Sequence, residues 1–143
     1  MKKSALHQAG KALVLFCIGA VVYALIEILW RGYTHWTMAV IGGALFLMIG
    51  GINNWLSWDM PLCLQAIIGS LMVTGAELIS GIVLNIWLGL GIWDYSQMPF
   101  NFLGQICPQF TFAWMGLSLI AIVLDDYIRY WLWHEERPHY KFI

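Results

Sequence analysis

Four long apolar stretches alternate with short polar segments along the chain. They span residues 12–30, 36–52, 62–90 and 110–131. An α-helix rises 1.5 Å per residue, so about 20 apolar residues are needed to cross roughly 30 Å of hydrocarbon. The pattern therefore predicts an all-α, polytopic membrane bundle of about four transmembrane helices, with residues 1–143 forming a single domain.

The third stretch is too long for a simple span. As one straight helix, residues 62–90 would extend roughly 43 Å. Such a helix must tilt strongly, break near a glycine such as Gly75 or Gly81, or continue into the outer interface. Four spans are therefore expected, and a fifth stays open as the alternative.

Small and polar residues share one face of the predicted helices. On a helical wheel with about 100° per residue, the small and polar residues of the third stretch fall within an arc of about 80°, and the polar and aromatic residues of the fourth stretch fall within an arc of about 60°. Small residues allow close approach and polar groups form hydrogen bonds, so these faces should pack inward, and the glycine pairs of the second stretch should make close contacts. The residues concerned are Ser70, Thr74, Glu77, Gly81 and Asn85; Thr111, Trp114, Ser118 and Asp125; and the pairs Gly42/Gly43 and Gly50/Gly51.

Composition supports the membrane assignment. Hydrophobic residues make up 61% of the chain and charged residues 10%, whereas soluble domains carry about 25% charged residues. The lipid bilayer is therefore the expected surrounding. The formal net charge of −1 provides no basic surface for nucleic acid, so no nucleic-acid partner is expected.

Basic residues predict the orientation in the membrane. Lysine and arginine concentrate in cytoplasmic flanks, and here they gather at both ends of the chain. Both termini, including the tail 132–143, are therefore expected in the cytoplasm of a plasma-membrane protein, with residues 91–109 as a polar outer loop. The residues concerned are Lys2, Lys3 and Lys11, and Arg129, Arg137 and Lys141.

Glu77 places a carboxyl group within the third apolar stretch. An acidic side chain at the centre of a bilayer costs about 2.5–3.5 kcal/mol, and intramembrane acids are functional by default. This favours a substrate or ion site that contains Glu77, with Asn85 beside it. The alternative is a neutral Glu77 that only hydrogen-bonds a neighbouring helix.

Glu27 and Arg31 stand four residues apart near the end of the first stretch. An acid placed four residues before a base on a helix is suited to a salt bridge. The first interpretation is an interfacial pair, and the alternative is a part in substrate or ion binding.

The predicted outer loop concentrates polar side chains beside the polar face of the third helix. Asp94, Tyr95 and Asn101 lie in this loop. One interpretation is a lid over a site that contains Glu77. The other is a local turn in which Asp94 accepts backbone N–H groups from the residues that follow it.

The remaining acidic and thiol groups predict no metal site. In the run DDYIR, Asp125 stands four residues before Arg129, which favours a salt bridge over a DDxxD metal motif. Cys17, Cys63 and Cys107 show no metal-ligand spacing, so buried free thiols are expected. The sequence assigns no cofactor.

Several short motifs carry a family resemblance. The runs ELISGIVLN, IWDYS and PFNFLGQIC, the Trp of FAW, and RGYTHW resemble the bacterial family labelled putative ABC-transporter type IV, or CmpB-like. The resemblance covers most of the chain and implies a small integral membrane protein linked to transport, without an established substrate, catalytic set or cofactor. No GxxxxGK[ST] segment occurs in the sequence, so any ATPase would be a separate chain.

These observations favour a small transporter, or a permease or substrate-capture subunit, over an enzyme. Its site would contain Glu77, Asn85, Asp94, Tyr95 and Asn101, and Glu77 would bind a cation, a proton or the cationic group of a substrate. Four helices enclose little space, so a homo-oligomer or a transport partner is implied. The alternatives are a membrane enzyme whose acids act on a lipid or isoprenoid, and a non-transporting assembly or regulatory subunit.

Overall fold

The computed structural model describes residues 2–142, without the side chains of Lys2 and Lys3. Its helices are α1 (Lys2–Arg31), α2 (Trp36–Gly50), α3 (Ile52–Trp55), α4 (Leu62–Gly81), a π-helix (Ile82–Trp87) and α5 (Pro108–Trp133). The predicted all-α helical membrane bundle is confirmed. The single domain over residues 1–143 stays a prediction, and its ends, Met1 and Ile143, lie outside the described residues.

Three helices among the described residues are long and apolar enough to cross a membrane. They are Ser4–Arg31, Leu62–Trp87 and Pro108–Trp133, while Trp36–Gly50 is apolar but shorter. Only 11–28% of the residues in their most apolar windows are buried inside the protein, which leaves most of their surface for lipid. A helix of the length of α2 rises only about 22 Å, so the four-span topology stays a prediction.

The chain is organised in two compact units. The N-terminal unit contains the chain up to Trp55 together with Ala121–Pro138, and the central unit contains Leu56–Ile120 together with the segment from His139. Helix α5 therefore contributes its first half to the central unit and its second half to the N-terminal unit.

Glycines allow α1 and α2 to approach each other closely in the N-terminal unit. A methyl group on Gly42 would lie 2.7 Å from Cβ of Tyr23, and one on Gly43 would lie 2.8 Å from the carbonyl oxygen of Phe16. The close contact predicted at this glycine pair is confirmed. The same unit has a hydrophobic core around Leu15, Phe46 and Ile128.

Gly43→Ala should lower the free energy of unfolding by about 1–3 kcal/mol, because the backbone carbonyl of Phe16 can give way only if α1 deforms. Equilibrium unfolding in mixed detergent micelles measures the change. Gly75→Ala is the matched control, since no described atom beyond the adjoining residues and backbone of its own helix lies within 4 Å of its added methyl group and alanine favours helix by about 1 kcal/mol. Equal destabilisation by the two substitutions would contradict the close α1–α2 contact.

In the third predicted span, the α-helix ends at Gly81 and a π-helix continues it to Trp87. A methyl group on Gly81 would lie 2.5 Å from Oε1 of Gln105, so glycine is required where the loop packs on the helix. Gly75 and Gly81 were both expected as possible breaks in this helix. The change from α-helix to π-helix occurs at Gly81, whereas Gly75 lies within α4. Short π-helical turns are frequent at functional sites.

The C-terminal segment returns to the start of α4. The backbone N–H groups of Leu62 and Cys63 donate to the carbonyl oxygens of Lys141 and Phe142 at 2.5 and 3.4 Å. The first N–H groups of a helix have no intrahelical acceptor, so this segment caps α4.

Candidate functional site

Glu77 accepts hydrogen bonds from two later parts of the chain. The Tyr95 hydroxyl donates to its Oε1 and the Trp114 indole N–H to its Oε2, both at 3.0 Å. Glu77 is only 8% exposed. One buried carboxyl group thus joins α4, the loop that follows it, and α5.

The two donors to Glu77, Tyr95 and Trp114, form an aromatic cluster with Phe110. Tyr95 stacks on Phe110 with centroids 4.6 Å apart and planes 7° apart, and the centroids of Phe110 and Trp114 are 6.2 Å apart. Phe110 and Trp114 share a face of α5 because they stand four residues apart. A carboxyl group beside aromatic rings is a combination suited to binding an organic cation.

Hydroxyl groups extend the polar contact between α4 and α5. The Ser70 hydroxyl donates to the carbonyl oxygen of Thr111, and the hydroxyl oxygens of Thr74 and Thr111 are 2.9 Å apart. With Glu77, these residues confirm that the predicted polar face of α4 packs inward, against α5.

Asn85 anchors the loop to the π-helix. Its Nδ2 donates to Oε1 of Gln105 at 2.8 Å, and its Oδ1 accepts from the backbone N–H of Ile92 at 2.7 Å. The indole of Trp93 donates to the carbonyl oxygen of Gln105 at 3.1 Å. Gln105 is 6% exposed and is therefore the buried centre of this part of the loop.

Asp94 and Asn101 shape the turn that carries Tyr95. The backbone N–H of Ser96 donates to Asp94 Oδ1 at 2.8 Å, which confirms the local-turn interpretation. Asn101 Oδ1 accepts from the backbone N–H of Gly104 at 3.0 Å. The N–H of Tyr95 in turn donates to the carbonyl oxygen of Gly104 at 2.7 Å, so the turn fixes the backbone of the residue that reaches Glu77.

The turn should make the stability of the loop depend on pH. Hydrogen bonds from the hydroxyl and the backbone N–H of Ser96 hold the pKa of Asp94 below its usual value. Because the folded pKa is below the unfolded one of about 3.9, this stabilisation is present above pH 4 and is lost as the pH falls through the folded pKa.

Wild type should therefore melt at a higher temperature than Asp94→Asn at pH 7, and the difference should shrink progressively as the pH falls below about 4. Thermal unfolding of both proteins from pH 7 to 3 measures this. Asp59→Asn, a substitution at another exposed aspartate of the central unit, controls for general effects of charge. A difference between wild type and Asp94→Asn that is constant with pH would contradict the turn's role.

Glu27 and Arg31 form the predicted salt bridge in the N-terminal unit. Arg31 Nε donates to Glu27 Oε2 at 2.9 Å, and the Tyr23 hydroxyl donates to Oε1 at 3.1 Å. The Arg31 guanidinium also lies over the Tyr33 ring, 4.8 Å from its centroid. These contacts confirm the salt bridge, whereas its position at the membrane interface and a part in binding stay predictions.

A second polar cluster lies at the end of α5, also in the N-terminal unit. Arg129 Nε donates to Asp125 Oδ1 at 2.6 Å, which confirms the predicted salt bridge. Asn53 Nδ2 donates to Asp126 Oδ2 at 2.7 Å. A methyl group on Gly50 would lie 2.6 Å from Cβ of Asp125, so close contact is confirmed for this member of the second glycine pair.

The acidic, histidine and thiol side chains of the described residues do not gather into a metal site. No group of three or more His, Cys, Asp or Glu side chains there is arranged to hold a metal ion. The cysteines are free, but only Cys107 is buried, whereas Cys17 and Cys63 are exposed. The predicted burial was wrong for these two, because a thiol is apolar enough to lie on the surface of a membrane helix.

The sequence placed Glu77 and Tyr95 in one site but left Trp114 and Phe110 out of it. Trp114 could have been found, because it falls on the polar arc of its helix, where an indole N–H needs an acceptor. Phe110 has no polar atom and gave no such indication. Gln105 is one of several polar residues in the loop sequence, and its central position depends on contacts that the pattern does not encode.

Comparison with known protein families gives a match over most of the chain. A model of the family described as "Putative ABC-transporter type IV" matches residues 4–137. No curated protein and no solved structure matches the chain. The matched range includes Glu77, its hydrogen-bond donors Tyr95 and Trp114, and the cluster at the end of α5.

Proposed function

We propose that this chain, which belongs to the putative ABC-transporter type IV family, is a transport-associated membrane subunit that captures a cationic group at Glu77. The observation that carries the proposal is the pair of hydrogen bonds from Tyr95 and Trp114 to one buried carboxyl group. A ligand that binds this group acts at once on α4, the loop and α5. Asn85, Asp94 and Asn101 support the site by holding the loop.

The chemistry around Glu77 favours an organic ammonium ligand. The carboxylate supplies charge, and the rings of Tyr95, Phe110 and Trp114 supply faces that attract a cation once it leaves water. The hydrogen bonds to Glu77 are exchangeable, because a Tyr hydroxyl and an indole N–H can each turn to another acceptor or to water. An ammonium N–H donor would replace them at the carboxylate.

The described helices are too few to enclose a transport pathway of the two-half design, so the proposed transport requires further subunits. Two-half transporters place the substrate between repeated bundles, whereas this chain supplies only three long helices and one shorter apolar helix within its described residues. The proposed assembly is a homo-oligomer, or a complex with a separate ATPase, in the plasma membrane. Its proposed topology has four spans and both termini in the cytoplasm, and accessibility of reporters fused to each end tests this.

A thermal-shift screen of the purified full chain tests the capture site. The panel contains primary to quaternary amines, basic amino acids, amine-containing vitamins, and neutral analogues of each, and the proteins are wild type, Glu77→Gln and Glu27→Gln. We expect at least one amine, but not its neutral analogue, to raise the melting temperature of wild type and of Glu27→Gln. Glu77→Gln should fold, because Gln can accept from Trp114 and donate to the Tyr95 hydroxyl, but it should not respond.

The same screen separates capture from the alternatives. A response that Glu27→Gln abolishes and Glu77→Gln keeps would move the site to the Glu27–Arg31 pair. No response in any protein would favour a non-transporting assembly subunit, in which Glu77 only joins helices. One observation already favours this second candidate: both oxygens of Glu77 accept hydrogen bonds from the protein itself.

A further inference from the structure

Two buried side-chain oxygen atoms near the break between α2 and α3 have no hydrogen-bond partner among the described residues. They are Oδ2 of Asp125 and Oδ1 of Asn53. Asp125 is fully buried and Asn53 is 5% exposed. A buried polar atom without a partner costs about 1–3 kcal/mol, so such atoms require an explanation.

The other polar atom of each side chain is engaged, which fixes the orientation of both. Arg129 Nε binds Oδ1 of Asp125 at 2.6 Å, and Asn53 Nδ2 donates to Oδ2 of Asp126 at 2.7 Å. A flipped Asn53 amide would set its oxygen against the Asp126 carboxylate. Asn53 Oδ1 is therefore an acceptor, as is Oδ2 of an ionised Asp125, and a donor or a cation must satisfy them.

Both acceptors lie beside the break between α2 and α3. Gly50 is the last residue of α2, and a methyl group on it would lie 2.7 Å from Oδ2 of Asp125. Asn53 follows three residues later, and its bond to Asp126 holds α3 against this turn of α5. The carboxyl end of a helix carries partial negative charge, which favours a cation.

We propose that Asp125 Oδ2 and Asn53 Oδ1 bind a small monovalent cation, sodium, at the break between α2 and α3. Carboxylate and carbonyl oxygens are ligands of hard cations, and interrupted membrane helices commonly form such sites. A single positive charge fits better than two, because the Arg129 guanidinium already contacts the same carboxylate. The site uses no residue of the Glu77 cluster and does not depend on the proposed capture of a cationic ligand.

Thermal unfolding of the full chain in detergent tests the site. Sodium chloride replaces choline chloride at constant ionic strength, and potassium and lithium chloride are run in parallel. We expect a saturable rise of roughly 5 °C with sodium. Absence of any rise relative to choline would overturn the proposal, as would equal rises with all three metal ions.

Substitutions of two neighbouring asparagines locate the effect. Asn53→Ala removes one ligand oxygen and should raise the half-saturating sodium concentration roughly tenfold or more. Asn54→Ala, at an exposed position, should leave it unchanged. A sodium response that is the same in Asn53→Ala and wild type would show that sodium acts elsewhere and would overturn the proposal.

Asn53→Asp should strengthen the response to sodium, whereas Asn53→Ala should weaken it. It also replaces Asn53→Ala as the test if that variant does not fold. It keeps the ligand oxygen and adds a negative charge, so it should be less stable in choline and should gain more from sodium than wild type. A sodium response no larger than that of wild type would contradict the proposal. Stabilisation of Asn53→Asp by a lower pH, without sodium, would also contradict the proposal, since a proton would then satisfy the oxygens.

Discussion

Arg129→Met should lower the free energy of unfolding by about 3–5 kcal/mol. Asp125 is fully buried, and Arg129 binds it at 2.6 Å, so the substitution leaves a buried carboxylate without its arginine. The remaining aspartate must then be protonated or exposed to water, and both cost free energy. Equilibrium unfolding in mixed micelles measures the change.

Two further variants show whether the loss comes from the ion pair. Arg137→Met removes an exposed charge and should stay within about 0.5 kcal/mol of wild type. Asp125→Leu combined with Arg129→Met removes both charges and should recover much of the stability, since paired apolar replacements of buried ion pairs are often tolerated. A double variant no more stable than Arg129→Met would point to lost packing of the arginine side chain instead.

Glu77→Leu should lower the free energy of unfolding by about 2–4 kcal/mol. The substitution removes the acceptor of the Trp114 indole and an acceptor of the Tyr95 hydroxyl, both at 3.0 Å. Glu77→Gln keeps an oxygen for Trp114 and a donor for Tyr95, so it should lose less than about 1 kcal/mol. Equal stability of the two variants would show that these hydrogen bonds do not join the helices and the loop.

Sequence patterns predicted the helices because burial in a membrane imposes a simple requirement. The apolar stretches had to be helical, since a helix satisfies its own backbone polar groups in lipid. The contact at Gly42/Gly43 followed from side-chain size, and the Glu27–Arg31 pair followed from helix periodicity. These features depend on local geometry, which the order of residues determines directly.

The partners of Glu77 could be predicted only in part because they come from different elements. Helical periodicity placed Glu77 on a polar face, but it could not identify Trp114 as the donor across the helix contact. The loop shows the same limit: the polarity of Asp94 and Asn101 was compatible with a site lid and with a local turn, and their hydrogen bonds show the turn, while the lid stays a prediction. Polarity alone does not distinguish a side chain that holds the backbone from one that faces a ligand.

The indole N–H resonance of Trp114, assigned with Trp114→Phe, tests the capture of a cation at Glu77 most directly. It is followed by two-dimensional NMR in detergent while amines and their neutral analogues are titrated into the full chain. We expect one class of amine to shift this resonance saturably in wild type and not in Glu77→Gln, because the amine takes over the carboxylate that Trp114 binds. A resonance that stays in place with every amine while the protein remains folded would contradict a binding role for Glu77.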